Sequence, residues 1–261
     1  MTQRHPHQGE PHWLHTWVEG RALLELAVLP LAWPFLRRAP RGDGHPVLLL
    51  PGFLANDATL LVLKFFLRSR GHEVHAWGLG WNTGLHRSDV QALQHRVRDL
   101  HRLSGRRVSL VGWSLGGVFA LLAAHEAGDC VRAVITLGSP VSPDPQGSLS
   151  TPIVRQLYRW IAHPLGPIGH LTHPRMKRYR AHERPPLPMS CLYSLSDGVV
   201  PPQEATLHGH PALHENIRVR SSHVGMAFNA HVLSVVADRL AQAEGAWRPY
   251  RQRCNCAGLS T

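Results

Sequence analysis

The stretch Val108-Ser109-Leu110-Val111-Gly112-Trp113-Ser114-Leu115-Gly116-Gly117 constrains this chain more than any other. It opens as an apolar run of strand type and closes by entering Val118-Phe119-Ala120-Leu121-Leu122-Ala123-Ala124, a helix-forming run. Between the two sits G-x-S-x-G, with Ser114 at its centre. A strand that turns at once into a helix brings two backbones together, so small residues must flank the turn. Gly112 and Gly116 meet that need and leave the serine in a strained, exposed conformation. The following helix aims its first N–H groups and its positive dipole end at any charge developing on the serine. A lone G-x-S-x-G is a weak signal; with a strand before it and a helix after it, the pattern predicts a nucleophile elbow.

The rest of the chain is read around this turn. Residues 1–12 are polar and His-rich and are expected to be disordered. Trp13 to Leu36 reads as helical, with Leu14, Trp17, Val18, Leu24, Val28 and Leu31 on one face. Its uncharged part, Leu26 to Leu36, is interrupted by Pro30 and Pro34 and falls far short of the roughly 20 residues that span a bilayer. Two readings fit: a peripheral helix packed on the domain, or a helix lying in a membrane interface. Arg37 to Gly44 is a polar linker. Val47-Leu48-Leu49-Leu50 has the continuous apolar character of a central parallel strand and ends in Pro51-Gly52-Phe53-Leu54. A helix from Asp57 to Arg70, a strand from Glu73 to Trp77 and a helix capped by Ser88 follow, the last with Val90, Leu93, Val97, Leu100 and Leu103 on its face. After the elbow helix, Arg132 to Leu137 is a strand ending in Gly138-Ser139-Pro140.

The rhythm breaks at Ser142. A proline-rich insertion, about 142–188, carries one apolar helical face of Ile153, Val154, Leu157, Trp160 and Ile161. We read it as a small cap, its face either lining a pocket or packing onto the domain. Strands resume with Met189 to Leu195, ending at Ser196-Asp197-Gly198, and with Asn216 to Arg220, ending at Ser221-Ser222-His223. A final helix covers about Asn229 to Ala243. Alternating strands and helices predict an α/β fold: a mostly parallel sheet of about six strands flanked by helices. The expected organisation is an N-terminal helical segment and linker (1–45), one domain (46–245) and a tail (246–261).

Three side chains stand at the ends of three strands: Ser114, Asp197 and His223. In a parallel sheet those ends share one edge, so the loops can converge. A serine hydroxyl needs a base to take its proton, a histidine titrates near neutrality, and a carboxylate behind the ring fixes its tautomer. His223 stands out from the other histidines because it follows the last strand and precedes the last helix. Asp144 and Glu204 are the rival acids. A tetrahedral intermediate needs N–H donors for its oxyanion, and Leu115 and Phe53 occupy the expected positions. Leu54, Trp81, Trp113 and Met226 adjoin these loops. With Leu157 and Trp160 of the insertion they are candidates to line an apolar acyl pocket.

Leu-Pro-Gly-Phe at 50–53, Gly-Trp-Ser-Leu-Gly-Gly at 112–117, Leu-Gly-Ser-Pro at 137–140, Ser-Asp-Gly-Val-Val-Pro at 196–201 and Ser-His-Val-Gly-Met at 222–226 together resemble the α/β-hydrolase superfamily. Within it the resemblance is to bacterial serine esterases and triacylglycerol lipases, over about Pro46 to Ala243. It implies a Ser114–His223–Asp197 triad, an acyl-enzyme and small-molecule or lipid ester substrates, with no cofactor. Two departures stand out: Pro-Gly replaces the frequent His-Gly of the oxyanion loop, which keeps the backbone donor, and the usual first two strands have no counterpart. An acyltransferase using the same triad and a non-catalytic binding protein of the same fold are the alternatives.

Composition adds bounds on partners. The 261 residues carry a formal charge of +11, nearly all of it arginine, since Lys64 and Lys177 are the only lysines. Base composition of the gene accounts for such a bias, and attraction to an anionic membrane is the functional reading. No nucleic-acid-binding motif is visible. The histidine pairs His5/His7, His170/His173 and His208/His210 lack a complete ligand set, and Cys254-Asn255-Cys256 lacks the second pair of a zinc site, so no metal is expected. Cys130 and Cys191 read as buried small hydrophobes. No apolar leader is visible in Met1 to Pro11, which makes a cytoplasmic location, or one peripheral to the inner face of the membrane, the expectation. No residue pattern sets an oligomeric state.

Overall fold

The computed structural model describes residues 19–84, 86–142, 185–207 and 212–250. Its centre is a six-stranded sheet of β1 (Pro46–Leu50), β2 (Glu73–His75), β3 (Val108–Trp113), β4 (Val131–Leu137), β5 (Met189–Tyr193) and β6 (His214–Arg218). The spatial order is β2-β1-β3-β4-β5-β6, and every pairing is parallel. Parallel strands are covered on both faces, so central ones carry apolar side chains at consecutive positions. Accordingly all five residues of β1 and all six of β3 are buried.

Around the sheet lie α1 (Ala22–Ala27), α2 (Leu29–Leu36), α3 (Leu61–Ser69), α4 (Arg87–Ser104), α5 (Leu115–Glu126) and α6 (Ala230–Leu240). Alternate strand residues feed two separate cores. Val47, Leu49, Val111, Ile135 and Ile217 meet Leu63, Phe66 and Leu67 of α3 and Val232, Val236 and Leu240 of α6. Leu48, Leu50, Leu110, Val134 and Met189 meet Leu93 and Val97 of α4 and Phe119 and Ala123 of α5. The helices thus divide between the faces, as right-handed crossovers require.

Several boundaries differ from those the sequence predicts. The helix expected from Asp57 opens as a 3₁₀ turn, Asp57–Leu60, capped by the Asn56 side chain, which accepts from Ala58 N at 3.0 Å. Ser88 is not a cap: α4 begins at Arg87, and the Ser88 hydroxyl lies 3.2 Å from Asp89 Oδ1. β6 starts two residues earlier than expected, because His214 pairs with Met189. α6 is capped by Asn229, whose side chain accepts from His231 N and Val232 N.

The N-terminal segment departs furthest. A 3₁₀ turn, Glu19–Arg21, leads into α1; Val28 separates α1 from α2. Of the face that spacing predicts, Leu14, Trp17 and Val18 lie outside the described residues, and Leu24, Val28 and Leu31 are turned to solvent, 68%, 52% and 76% exposed. Ala22, Leu29 and Leu36 face inward instead, and Trp33 meets Phe66 edge-on at 6.2 Å. The break at Val28 means no single 3.6-residue period runs through the segment.

The opposite, amino-terminal edge of the sheet holds a polar knot. Asp43 Oδ1 meets His45 Nδ1 at 2.6 Å, and Asp43 Oδ2 accepts from Arg106 at 2.7 Å and Arg132 at 2.9 Å. His45 Nε2 meets Ser109 Oγ at 2.8 Å, and the buried His72 ring stacks edge-on against His45 at 5.1 Å.

Candidate active site

The strand order reverses beside β1, whose neighbours β2 and β3 are reached by crossovers in opposite directions. Beyond the carboxyl ends at such a point two loops splay apart and leave a crevice. Ser114, which follows β3, stands there with φ 54° and ψ −123°, one of two non-glycine residues with positive φ among those described. The turn holds because its flanks have no side chains. A Cβ on Gly112 would overlap the Gly116 carbonyl, and one on Gly116 would overlap that of Leu50. Ser114 N donates to Leu137 O at 2.9 Å, tying the turn to β4. The strain expected at G-x-S-x-G is therefore present.

The loops after β5 and β6 bring two more residues to Ser114. His223 Nε2 lies 3.0 Å from Ser114 Oγ, and His223 Nδ1 lies 2.8 Å from Asp197 Oδ2. With Nδ1 donating to the carboxylate, a neutral His223 leaves Nε2 to accept from the serine hydroxyl. Asp197 Oδ1 accepts from Val199 N and Val200 N, both at 2.8 Å, which fixes the carboxylate. Asp197 and His223 are buried. Burial pushes the His223 pKa down; the charge and hydrogen bond of Asp197 and the charge of Glu19 push it up further, and the net shift is upward from 6.5.

Of the rival acids, Glu204 is buried, and its backbone carbonyl accepts from Val141 N and Ser142 N; the carboxylate facing His223 Nδ1 belongs to Asp197. Asp144 lies outside the described residues, as do Leu157, Trp160, His5, His7, His170, His173, His208, His210, Cys254 and Cys256. Cys191 is buried and Cys130 only partly so. Among the described residues no group of three or more His, Cys, Asp and Glu could hold a metal, and no described helix is long and apolar enough to cross a membrane.

Leu115 opens α5, so its N–H belongs to the first turn, whose amides have no intrahelical acceptor. Phe53 follows Gly52, where a Cβ would stand 3.1 Å from that of Ser114. The loop between them and Ala55 is pinned by Asn82, a residue the motif reading passed over. Its side chain donates to Pro51 O at 2.8 Å, its carbonyl accepts from Leu54 N at 2.7 Å, and its N–H donates to Ala55 O at 2.8 Å. The readable signal was a lone amide in a Gly-rich loop, Gly78 to Gly84. The candidate pocket residues separate. Trp113 is buried and donates from its indole to His223 O at 3.0 Å, and Met226 is fully buried, so both back the histidine rather than face solvent. Leu54 and Trp81 are exposed beside the Asn82 contacts.

The sequence matches the model of the alpha/beta hydrolase family over residues 47–253, and the chain belongs to that family. No curated protein matches it. Among solved structures it is similar to Aspergillus fumigatus lipase B, with TM-score 0.57 and 17% identity over 78% of this chain and 54% of that one. It is also similar to Bacillus licheniformis lipase BlEst2, in mature form with TM-score 0.57 and 19% identity over 78% of this chain and 95% of that one. For the propeptide form of BlEst2 the values are 0.58, 20%, 82% and 54%. The chain spans about half the length of the Aspergillus lipase, 54%. At such identities the likeness is one of fold.

Proposed function

We propose that this chain is a serine hydrolase that cleaves carboxylic esters through an acyl-enzyme. The observation that carries the reading is the hydrogen-bonded line Ser114 Oγ to His223 Nε2, at 3.0 Å, and His223 Nδ1 to Asp197 Oδ2, at 2.8 Å, ending on a serine held at positive φ. Ser114 Oγ attacks the ester carbonyl as His223 takes its proton, and Asp197 stabilises the imidazolium. The N–H groups of Leu115 and Phe53 receive the oxyanion. His223 returns the proton to the leaving alcohol, the acyl group stays on Ser114, and water, deprotonated by His223, releases the acid.

The loops at the crevice support a substrate class. Leu54, exposed at 37%, and Trp81, exposed at 63%, offer apolar surface there, which supports an ester with an apolar acyl chain. The outward surface of the N-terminal segment supports a lipid ester met at an anionic membrane. Leu23, Leu24, Val28, Leu31 and Phe35 are exposed in sequence, and Arg37, Arg38 and Arg41 follow them. The Arg38 guanidinium sits 5.8 Å over the Phe35 ring. Apolar side chains bordered by arginine match an anionic lipid interface.

The test is hydrolysis of a panel of p-nitrophenyl esters. Ser114→Ala and His223→Ala are each expected to lower kcat by a factor on the order of 10⁶, and the double variant little further. Additive losses would show that the pair does not act as a unit. An acyltransferase would divide its product between acid and a new ester when a long-chain alcohol is added, so product analysis with and without the alcohol separates the two activities.

A further inference from the structure

The mechanism above leaves unexplained how two loops from different strands keep Asp197 and His223 in hydrogen-bond contact. Gly198 lies outside any helix or strand, and His223 caps and Val224 opens the 3₁₀ turn Val224–Ala227, so the backbone N–H groups of these three need acceptors from elsewhere. Those acceptors come from the N-terminal segment. Glu19 Oε1 accepts from Gly198 N at 3.0 Å, in the loop of the acid, and from His223 N at 2.8 Å, in the loop of the base. Its second oxygen accepts from Val224 N at 3.0 Å. Glu25 takes the residues just before the histidine: Oε1 accepts from Ser222 N at 2.7 Å, and Oε2 from Ser221 Oγ at 2.8 Å and Asn229 Nδ2 at 2.7 Å. Arg21 joins the parts, donating to Glu25 Oε1 at 3.1 Å and to Ser196 Oγ at 2.7 Å. Gly225 has no Cβ where the Glu25 carboxylate passes.

Carboxylates accepting several backbone N–H groups form charge-assisted bonds, stronger than neutral ones. The strands beneath are paired, and the tie runs on through Val219 N to Tyr193 O at 2.8 Å and Ser221 N to Ser194 Oγ at 3.5 Å; the single oxygen shared by Gly198 and His223 carries it out to the residues of the triad. We propose that Glu19 and Glu25 are positioning residues of the active site, Glu19 as the tie between the acid and base loops and Glu25 as the anchor of the base loop. The proposal rests on the triad reading above. It makes residues 19–25 part of the active site, although the family match begins only at residue 47.

Glu19 also acts through its charge. The charged groups packed about His223 are Asp197 from the loop after β5, Glu19 from the 3₁₀ turn and, behind it, Glu25 with its partner Arg21. Among the described residues Ser114, Trp113 and Met226 also lie beside it and carry no charge. Both Asp197 and Glu19 favour the imidazolium. Removing the Glu19 charge therefore lowers the pH at which His223 becomes a free base.

The experiment measures p-nitrophenyl butyrate hydrolysis by the full chain against pH, for the wild type, Glu19→Gln, Glu19→Asp and Glu25→Gln. Glu19→Gln is expected to lower kcat by about 10- to 100-fold, with KM nearly unchanged, because a slight misplacement of the base costs rate and not binding. Its acid limb in kcat/KM moves to lower pH. Glu19→Asp keeps the charge but is too short to reach both loops, so its kcat falls while the limb stays near that of wild type. Glu25→Gln lowers kcat with little movement of the limb. A fall in melting temperature with kcat and acid limb unmoved in the Glu19 variants means a merely structural role and overturns the proposal. Should Glu19→Gln fail to fold, full kcat in Glu19→Asp overturns it equally. Fluorophosphonate labelling separates the two failures: a wild type that is not labelled at Ser114 sinks the triad reading itself, whereas a labelled wild type with indifferent Glu19 variants sinks only the brace.

Discussion

Gly138, at the end of β4, has φ 55°, and a Cβ built on it would lie 2.8 Å from Asp197 Oδ2, 2.9 Å from Met226 Sδ and 3.2 Å from His223 Nδ1. Asp197 and His223 meet across a residue without a side chain. Gly138→Ala thus adds a methyl to the contact between Asp197 and His223 and forces an alanine into the left-handed region, which costs about 1 kcal/mol on its own. We expect it to cut kcat far more than it lowers stability; equal kcat at a reduced melting temperature would show that the crossing at Gly138 is not critical. Titration of His223 gives a second prediction at this scale. Its folded pKa is raised, so below that value the imidazole is protonated and cannot accept the serine proton. The acid limb of kcat/KM should have its midpoint above 6.5, and a midpoint below 6.5 would contradict the geometry. Ser114, Asp197 and His223 could be singled out in the sequence because each stands in the loop that leaves a strand, and a parallel sheet gathers those ends. Asn82 and Glu19 could not, because their partners are backbone groups far along the chain, and a backbone group has no signature of its own.

At the scale of elements, the N-terminal segment shows where periodicity fails. Leu24, Val28 and Leu31 are spaced for one helical face, and all three are exposed. That spacing fits a helix packed on the domain or one lying in a membrane interface; the three residues are exposed because the inward side of residues 19–25 carries Glu19 and Glu25, bonded to the loops of the site. Helix spacing tells which residues lie together, and only a partner decides which way they face. The strands, by contrast, were readable almost to the residue in β1, where burial on both faces leaves an apolar run; β3, expected over 107–111, runs on to Trp113, past Gly112. If the outward face meets lipid, the protein should sediment with liposomes containing anionic phospholipid at low salt and be released at high salt, since charge attraction is screened within about 10 Å at 0.1 M ionic strength. Leu23→Ser with Leu31→Ser, two residues each 76% exposed, should abolish sedimentation and leave hydrolysis of a soluble ester intact. Unchanged sedimentation of that variant would remove this face from the interface.

Across the whole molecule, the two edges of the sheet carry similar chemistry and different fates. Asp43, His45 and Ser109 repeat the bonding of Asp197, His223 and Ser114 at the amino-terminal edge, yet Ser109 is 1% exposed and lies within β3, where no substrate reaches it. A line of Asp, His and Ser is thus not enough; the fold must also present the hydroxyl at the open, carboxyl edge. The closed edge bears on stability. Burial, aided by the neighbouring His45, lowers the pKa of His72 from 6.5 to about 4, and neither of its ring nitrogens has a hydrogen-bond partner among the described residues. Its neutral form suits the fold, so its contribution is complete above pH 6.5 and is lost as pH falls from there towards 4, where the unfolded chain binds the extra proton. Urea midpoints should therefore drop more steeply between those pH values in the wild type than in His72→Asn, and parallel curves would refute this.

The central claim is that Ser114 is the activated nucleophile of a serine hydrolase, and covalent trapping addresses it directly. The full chain is treated with a fluorophosphonate and the modified peptide is located by mass spectrometry. One adduct is expected, on Ser114, absent in Ser114→Ala and formed far more slowly in His223→Ala and Asp197→Asn. No adduct in the wild type, or one on a different residue, would contradict it.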